Sequence, residues 1–178
     1  MESLSKLIKT NNFVVVDLET TGLDKNRDHI IEIGAVKIAG GKITETFSTF
    51  VSCPVSLPAE IVELTGITES DLRGAPTIEE ALKNLGEFMR GCALVAHNLP
   101  FDFAFLRNWG SRCGVDFNEF EKDALDTVEL AREVLKNRVE NYKLSTLAKY
   151  FRIAFSHHRA LNDAETTAEI FIGLASKA

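Results

Sequence analysis

Cysteine is scarce in this 178-residue chain. There are three, Cys53, Cys92 and Cys113, an odd number, far apart and without a C-x-x-C. That excludes a disulfide framework or a zinc ribbon and points to a reducing cytoplasm. No apolar run reaches the length of a membrane-spanning helix, so no membrane association is expected. The opening MESLSKLIKTNN has neither the h-region nor the small-residue cleavage site of a signal peptide. Internal repeats, low-complexity segments and Pro/Gly-rich linkers are also missing. So is an excess of positive charge, the net charge being −6. Proteins that grip a long duplex by neutralising phosphates are usually basic. If this chain handles nucleic acid, bound metal and helix ends must supply much of the local positive potential. What is present, 45% hydrophobic and 26% charged residues, fits one globular domain over residues 1–178, with a core at about residues 12–176.

Residues 13–18 read as a buried strand. HIIEIGAVKI (29–38) and KITETFSTFV (42–51) read as two strands joined by AGGK. The second alternates, with Ile43, Phe47 and Val51 apolar. PAEIVELTG (58–66) reads as a short helix with Pro at its first turn and Gly at its end. Thr77 and Glu80 form a capping box before Ile78, Leu82, Leu85 and Met89, which recur at helical spacing. CALVAH (92–97) is another short strand, followed by helices over 100–114, from Asp126 onward, over 144–151, and over the closing ALNDAETTAEIFIGLASKA. Strands first, then strands and helices in alternation, imply an α/β domain with a mixed sheet.

Against this background two acids stand out in FVVVDLETTG. Asp17 and Glu19 are two apart on a strand, so they project to the same face. They lie at the strand's carboxyl end, where open α/β sheets tend to build sites. Two adjacent anions favour a divalent cation or one protonated acid, and oxygen ligands suit hard ions such as Mg²⁺ or Mn²⁺. The bland reading is a solvated strand end. Asp102, in ALVAHNLPFD, reads as a helix-start carboxylate or as a third acid facing the same cleft. In SHHRALNDAETTAEIF, His158 and Asp163 are five apart and converge if the histidine is on the loop and the aspartate in the opening of the helix. A mobile histidine beside a carboxylate suits general-base work; His157 competes for that role. Each signal alone is modest, but together they put four carboxylates and a histidine at element ends.

These motifs resemble those of the DEDDh 3′–5′ exonucleases, which have the ribonuclease H-like fold. VVDLETTGL carries Asp17-x-Glu19, VAHNLPFDFAFL ends its motif in Asp102, and HHRALNDA carries His158-x-x-x-x-Asp163. Within the family, ELTGIT and HHRALNDAETTAEIF are most similar to the proofreading exonucleases of bacterial DNA polymerase III, the PolC-type domain first and the epsilon subunit next. The resemblance implies a central mixed five-stranded sheet flanked by helices. It also implies two Mg²⁺ or Mn²⁺ ions, with Asp17 bridging, Glu19 and Asp163 completing the tighter site, and Asp102 holding the second ion. His158 would take a proton from the attacking water, and 5′-mononucleotides would leave. Leu18, Thr20, Thr21, Gly22, Leu23, Thr65, Asn98 and Phe101 would meet the terminal nucleotide. Leu23 and Phe101 could equally be core. Glu32 reads as structural and Trp109 as packing.

The implied partner is the 3′ end of single-stranded or frayed DNA, delivered by a replicative DNA polymerase. Epsilon subunits carry a further tail, whereas this chain stops at Ala178 just after its last helix. A free-standing nuclease, an excised domain and a subunit that docks differently therefore all stay open. So do two other functions: trimming of RNA by a nuclease of the same family, and a non-catalytic module that binds a polymerase or nucleic acid.

Overall fold

The computed structural model describes residues 4–156 and 158–178; the competing histidine, His157, lies outside the described residues. In chain order the elements are α1 (Leu4–Thr10), β1 (Phe13–Thr20), β2 (Ile30–Ala39), β3 (Lys42–Phe50), α2 (Ala59–Thr65), α3 (Glu69–Leu72), α4 (Ile78–Met89), β4 (Ala93–Ala96), α5 (Leu99–Cys113), β5 (Leu125–Asp126), α6 (Thr127–Leu135), α7 (Leu144–Phe151) and α8 (Ala160–Ala175). The strands form one sheet in the order β3-β2-β1-β4-β5. β1, β2 and β3 are antiparallel, and β4 and β5 join in parallel. This is the mixed five-stranded α/β architecture that the sequence implies.

Local chemistry explains most element ends. The Thr77 N–H donates to Glu80 Oε2 at 2.9 Å and the Glu80 N–H to Thr77 Oγ1 at 3.3 Å, so the capping box opens α4. Gly66 ends α2 at φ 71°, a left-handed conformation that glycine adopts without steric penalty. Three short elements go beyond the sequence reading. α1 buries only Ile8, so it has no apolar stripe to detect. α3 is four residues long and opens on a box in which Asp71 stands where glutamate or glutamine is usual. β5 has two residues, too few for alternation to register, and Asp126 ends it while capping α6 through the Val128 N–H at 2.8 Å. β3 departs from its expected stripe. Ile43 is 38% exposed, and the fully buried Val51 lies just past the strand. The cause is position, because β3 is an edge strand that becomes half-buried only in its second half.

The two faces of β1 belong to different cores. Val14, Val16 and Leu18 pack with Leu82, Leu85 and Leu106 of α4 and α5. Phe13 and Val15 pack with Ala164, Ala168 and Phe171 of α8. Side chains alternate along a strand, so Asp17 and Glu19 continue the stripe that faces α8. On β2 the partners of Phe13, Val15, Asp17 and Glu19 are Ile38, Val36, Gly34 and Glu32. Gly34 sets how closely α8 approaches. A Cβ there would lie 2.2 Å from the Ala160 carbonyl carbon and 2.3 Å from the Leu161 nitrogen. The first turn of α8 therefore rests with its backbone on the sheet, directly opposite Asp17.

Gly34→Ala must push α8 off the sheet, with an expected loss of about 1–3 kcal/mol or more by denaturant unfolding. Gly86→Ala, within α4, meets only Val115 Cγ1 at 3.4 Å, and removing a helical glycine there should be neutral or stabilise by about 0.5–1 kcal/mol. Equal stabilities for the two variants would contradict the close approach.

Candidate active site

Three segments meet at the carboxyl end of β1. The first is β1 itself, which presents Asp17 and Glu19 with part of their surface in solvent. The second is the opening turn of α5. β1 pairs with β4 only as far as Val15, so beyond that point its N–H groups need another acceptor. Asp102 Oδ1 supplies it, accepting from the Leu18 N–H at 3.1 Å. This bond ties Asp102, only 4% exposed, to the residue between Asp17 and Glu19. The third segment is the entry to α8, with His158 on the preceding loop and Asp163 in the first turn, as the spacing suggested. The His158 N–H donates to Asp163 Oδ2 at 3.3 Å. One ligand atom each from Glu19, His158 and Asp163 lie within 4.8 Å of one another.

The remaining residues singled out in the sequence fall into two groups. Leu18 is buried in the core and its N–H is committed to Asp102. Thr20 and Thr21 are also buried. The Thr20 hydroxyl donates to the Gly22 carbonyl at 2.6 Å, and that of Thr21 donates to Asp28 Oδ1 at 3.2 Å while accepting from the His29 N–H at 2.9 Å. Thr65 is likewise buried, its hydroxyl donating to the Ile61 carbonyl and accepting from the Ile67 N–H. By contrast, Leu23 is 85% exposed. It lines an open pocket of about 590 Å³ with Asn98, Pro100, Phe101, Ala104 and Phe105. A cleft of similar size, about 610 Å³, lies at the opposite end of the sheet against Phe13 and Ala93, away from the acids.

The loop that carries Leu23 is held on both sides. The Asp28 carboxylate accepts from the Asp24 N–H at 2.8 Å and would collide with any Cβ on Gly22, at 2.5 Å. From α5, Asn108 donates to the Lys25 carbonyl, Arg112 to that of Asn26 and the Trp109 indole to that of Asp28. Trp109 thus packs against His29, as expected, but also serves as a loop anchor that composition alone does not reveal.

Beside the acids stand Glu32, which the sequence reading took as structural without naming its partners, and Arg159, which it did not single out. Glu32 is 1% exposed and accepts from Arg159 Nη2 at 2.9 Å and from the Ala160 N–H at 3.0 Å. The available signal was a glutamate inside an apolar strand, two residues before a glycine and hence on the same face.

Crowding shows in the acidities. Removal from water, then Asp102, Asp163, Glu19 and Glu32, raise the Asp17 carboxyl well above its usual range. Removal from water, then Asp163 and Glu32, push Glu19 up to about 7, against a lowering pull from Arg159. Asp102 rises to about 8, chiefly by removal from water and in spite of the N–H groups that it accepts from. Carboxyl groups crowded in this way, with Glu19 and Asp163 offering oxygens within 4.8 Å of one another and of a His158 nitrogen, fit a divalent cation.

These raised pKa values fix the sign of a pH effect. Such groups bind protons more tightly folded than unfolded, so their contribution is complete below the unfolded pKa of about 4 and is lost as pH rises through about 7 to 8. The melting temperature in EDTA should fall by several degrees between pH 5.5 and 8.5, and Mn²⁺ should restore more of it at pH 8.5 than at pH 5.5. A melting temperature that is flat or rises across that window would contradict the crowding.

Comparison with known proteins bears on the whole arrangement. Residues 14–171 match the family described as Exonuclease, RNase_T. The chain is 48% identical over 166 residues to the PolC-type DNA polymerase III of Caldanaerobacter subterraneus, covering 93% of this chain but 12% of that protein. It is 38% identical over 174 residues to the same polymerase of Bacillus subtilis, covering 97% and 12%. The chain thus spans about one eighth of the length of these relatives. Among solved structures, E. coli exonuclease I in complex with a dT13 oligonucleotide superposes with a TM-score of 0.82 at 18% identity, over 94% of this chain and 41% of the other. Exonuclease X in complex with 5′ overhanging duplex DNA gives a TM-score of 0.73 at 26% identity, over 93% and 92%. Match, fold and clustered acids agree: the chain belongs to the RNase_T exonuclease family.

Proposed function

We propose that this chain is a metal-dependent 3′–5′ exonuclease that removes 5′-mononucleotides from single-stranded or frayed DNA ends and proofreads for a replicative DNA polymerase in the cytoplasm. The observation that carries the reading is the convergence of Glu19, His158 and Asp163 within 4.8 Å, beside Asp17 and the buried Asp102. The polymerase partner is inferred from the PolC-type relatives. The DNA substrate is inferred from the exonuclease I and exonuclease X complexes. Three cysteines without a disulfide and the lack of a helix, among the described residues, long and apolar enough to cross a membrane are compatible with that setting.

Asp17, Glu19, Asp102 and Asp163 would hold the cations, Mg²⁺ or Mn²⁺. When bound, such ions polarise the phosphodiester and make an attacking water acidic at neutral pH. His158, half-buried on its loop, accepts the proton of that water. Asp163 keeps the histidine's backbone in place through the 3.3 Å bond. The pinned loop from Thr20 to Asp28 offers a preformed floor, so little ordering is needed when a nucleotide arrives. Leu23 and Phe101 present apolar surface on which an unstacked terminal base can rest. An end that is already unpaired is the cheaper substrate, since melting a terminal pair costs free energy.

The decisive assay is digestion of 5′-labelled single-stranded DNA and matched RNA with Mg²⁺, Mn²⁺ or EDTA. Shortening from the 3′ end of DNA, abolished by EDTA, is expected. RNA cut much faster than DNA would replace proofreading with RNA trimming, and no metal-dependent release of mononucleotides would leave a binding module. Asp17→Ala should reduce cleavage to background while keeping the fold; near-normal activity would remove it from the site. His158→Ala should slow turnover by about 10²–10⁴-fold and His157→Ala far less, the reverse ranking assigning the proton transfer to His157.

A further inference from the structure

The entry to α8 is held in an unusual way. Its N-cap position is Arg159, whose side chain makes no capping bond. The cap comes instead from another element: Glu32 Oε2, on β2, accepts from the Ala160 N–H at 3.0 Å. The same carboxylate takes the Arg159 fork, with Nε at 3.1 and 3.2 Å from its two oxygens and Nη2 at 2.9 Å from Oε1. All four bonds come from two consecutive residues, and the guanidinium also lies over the Phe50 ring at 5.2 Å. On one side of this pair is His158, at φ 65°; on the other, one turn on, is Asp163. The Gly34 contact presses the same turn onto the sheet.

The pair is a weak source of stability, since the Arg159 side chain is 47% exposed and solvent screens its attraction to Glu32. What a bidentate fork on a buried carboxylate supplies is fixed geometry. The oxygens of Glu32 are occupied by Arg159 and Ala160, although the residue stands opposite Glu19 in the β1–β2 register. We infer that Glu32 and Arg159 are a positioning pair that sets the turn carrying His158 and Asp163 against Glu19, and so determines the metal and proton-transfer geometry without either residue touching the reacting atoms. The inference rests on the exonuclease reading above.

The test uses the full chain with Glu32→Gln and Arg159→Ala. Thermal unfolding, Mn²⁺ affinity by calorimetry without nucleic acid, and kcat and KM on 5′-labelled single-stranded DNA are measured for each. Outer partners of metal ligands typically contribute 10–100-fold to metal affinity or activity. A loss of about 10–100-fold in Mn²⁺ affinity or kcat is therefore expected, in protein that still unfolds cooperatively above the assay temperature, with KM within about threefold of the parent because substrate contacts are untouched. If Glu32→Gln keeps kcat and Mn²⁺ affinity within about twofold of the parent, well under that range, the inference is overturned. It is equally overturned if both variants are unfolded at the assay temperature, because the pair is then a stability device. A parent that binds Mn²⁺ but cuts nothing sinks the exonuclease reading, while the Mn²⁺ affinities of the variants still decide whether the pair sets the turn.

Discussion

The site depends on one close approach, that of the first turn of α8 onto β2 at Gly34. A helix normally stands off a sheet by the thickness of the side chains between them. Here the layer is missing at one point, and the Ala160 carbonyl carbon lies 2.2 Å from where a Cβ would be. Asp163 can therefore reach the acids of β1, although it is a short side chain. Farther along, Ala164 and Ala168 keep the helix low while Phe171 fills the space against Phe13. The sheet-facing stripe of α8 is small at the site and large at the other end, so the closest approach falls beside the acids.

Given that approach, the rest is a matter of satisfying polar groups where regular pairing ends. β4 stops early, and Asp102 replaces it as acceptor for Leu18. The helix begins on an arginine, and Glu32 replaces the missing cap. Two acids are thus used by the fold itself. Glu32 is paired with Arg159, whereas Asp102 sits near Glu19 and Asp126, which repel it. Electrostatic crowding of this kind is unfavourable for folding alone, and a cation offsets it.

Much of this was legible in the sequence. The period-two placement of Asp17 and Glu19, the loop-then-helix arrangement of His158 and Asp163, and the capping box of Thr77 and Glu80 rest on spacing, which a sequence carries directly. The partners of Glu32, the role of Trp109 and the importance of Gly34 were not legible, because each depends on residues far along the chain: 127 positions separate Glu32 from Arg159, and 81 separate Trp109 from Asp28. A glycine in a strand announces room for something without saying what fills it. Likewise the buried hydroxyls of Thr20, Thr21 and Thr65 looked available as letters, and their commitment to neighbouring backbone appears only in three dimensions.

The same distances carry a consequence for the life of the molecule. The bond between Leu18 and Asp102 closes a loop of 84 residues, and the one between Glu32 and Arg159 a loop of 127. No local helix or hairpin can preassemble the cleft. It exists only with the tertiary contacts that join these distant residues. Whatever chemistry the cleft performs is therefore tied to the folded state and absent from any intermediate that lacks these long-range bonds.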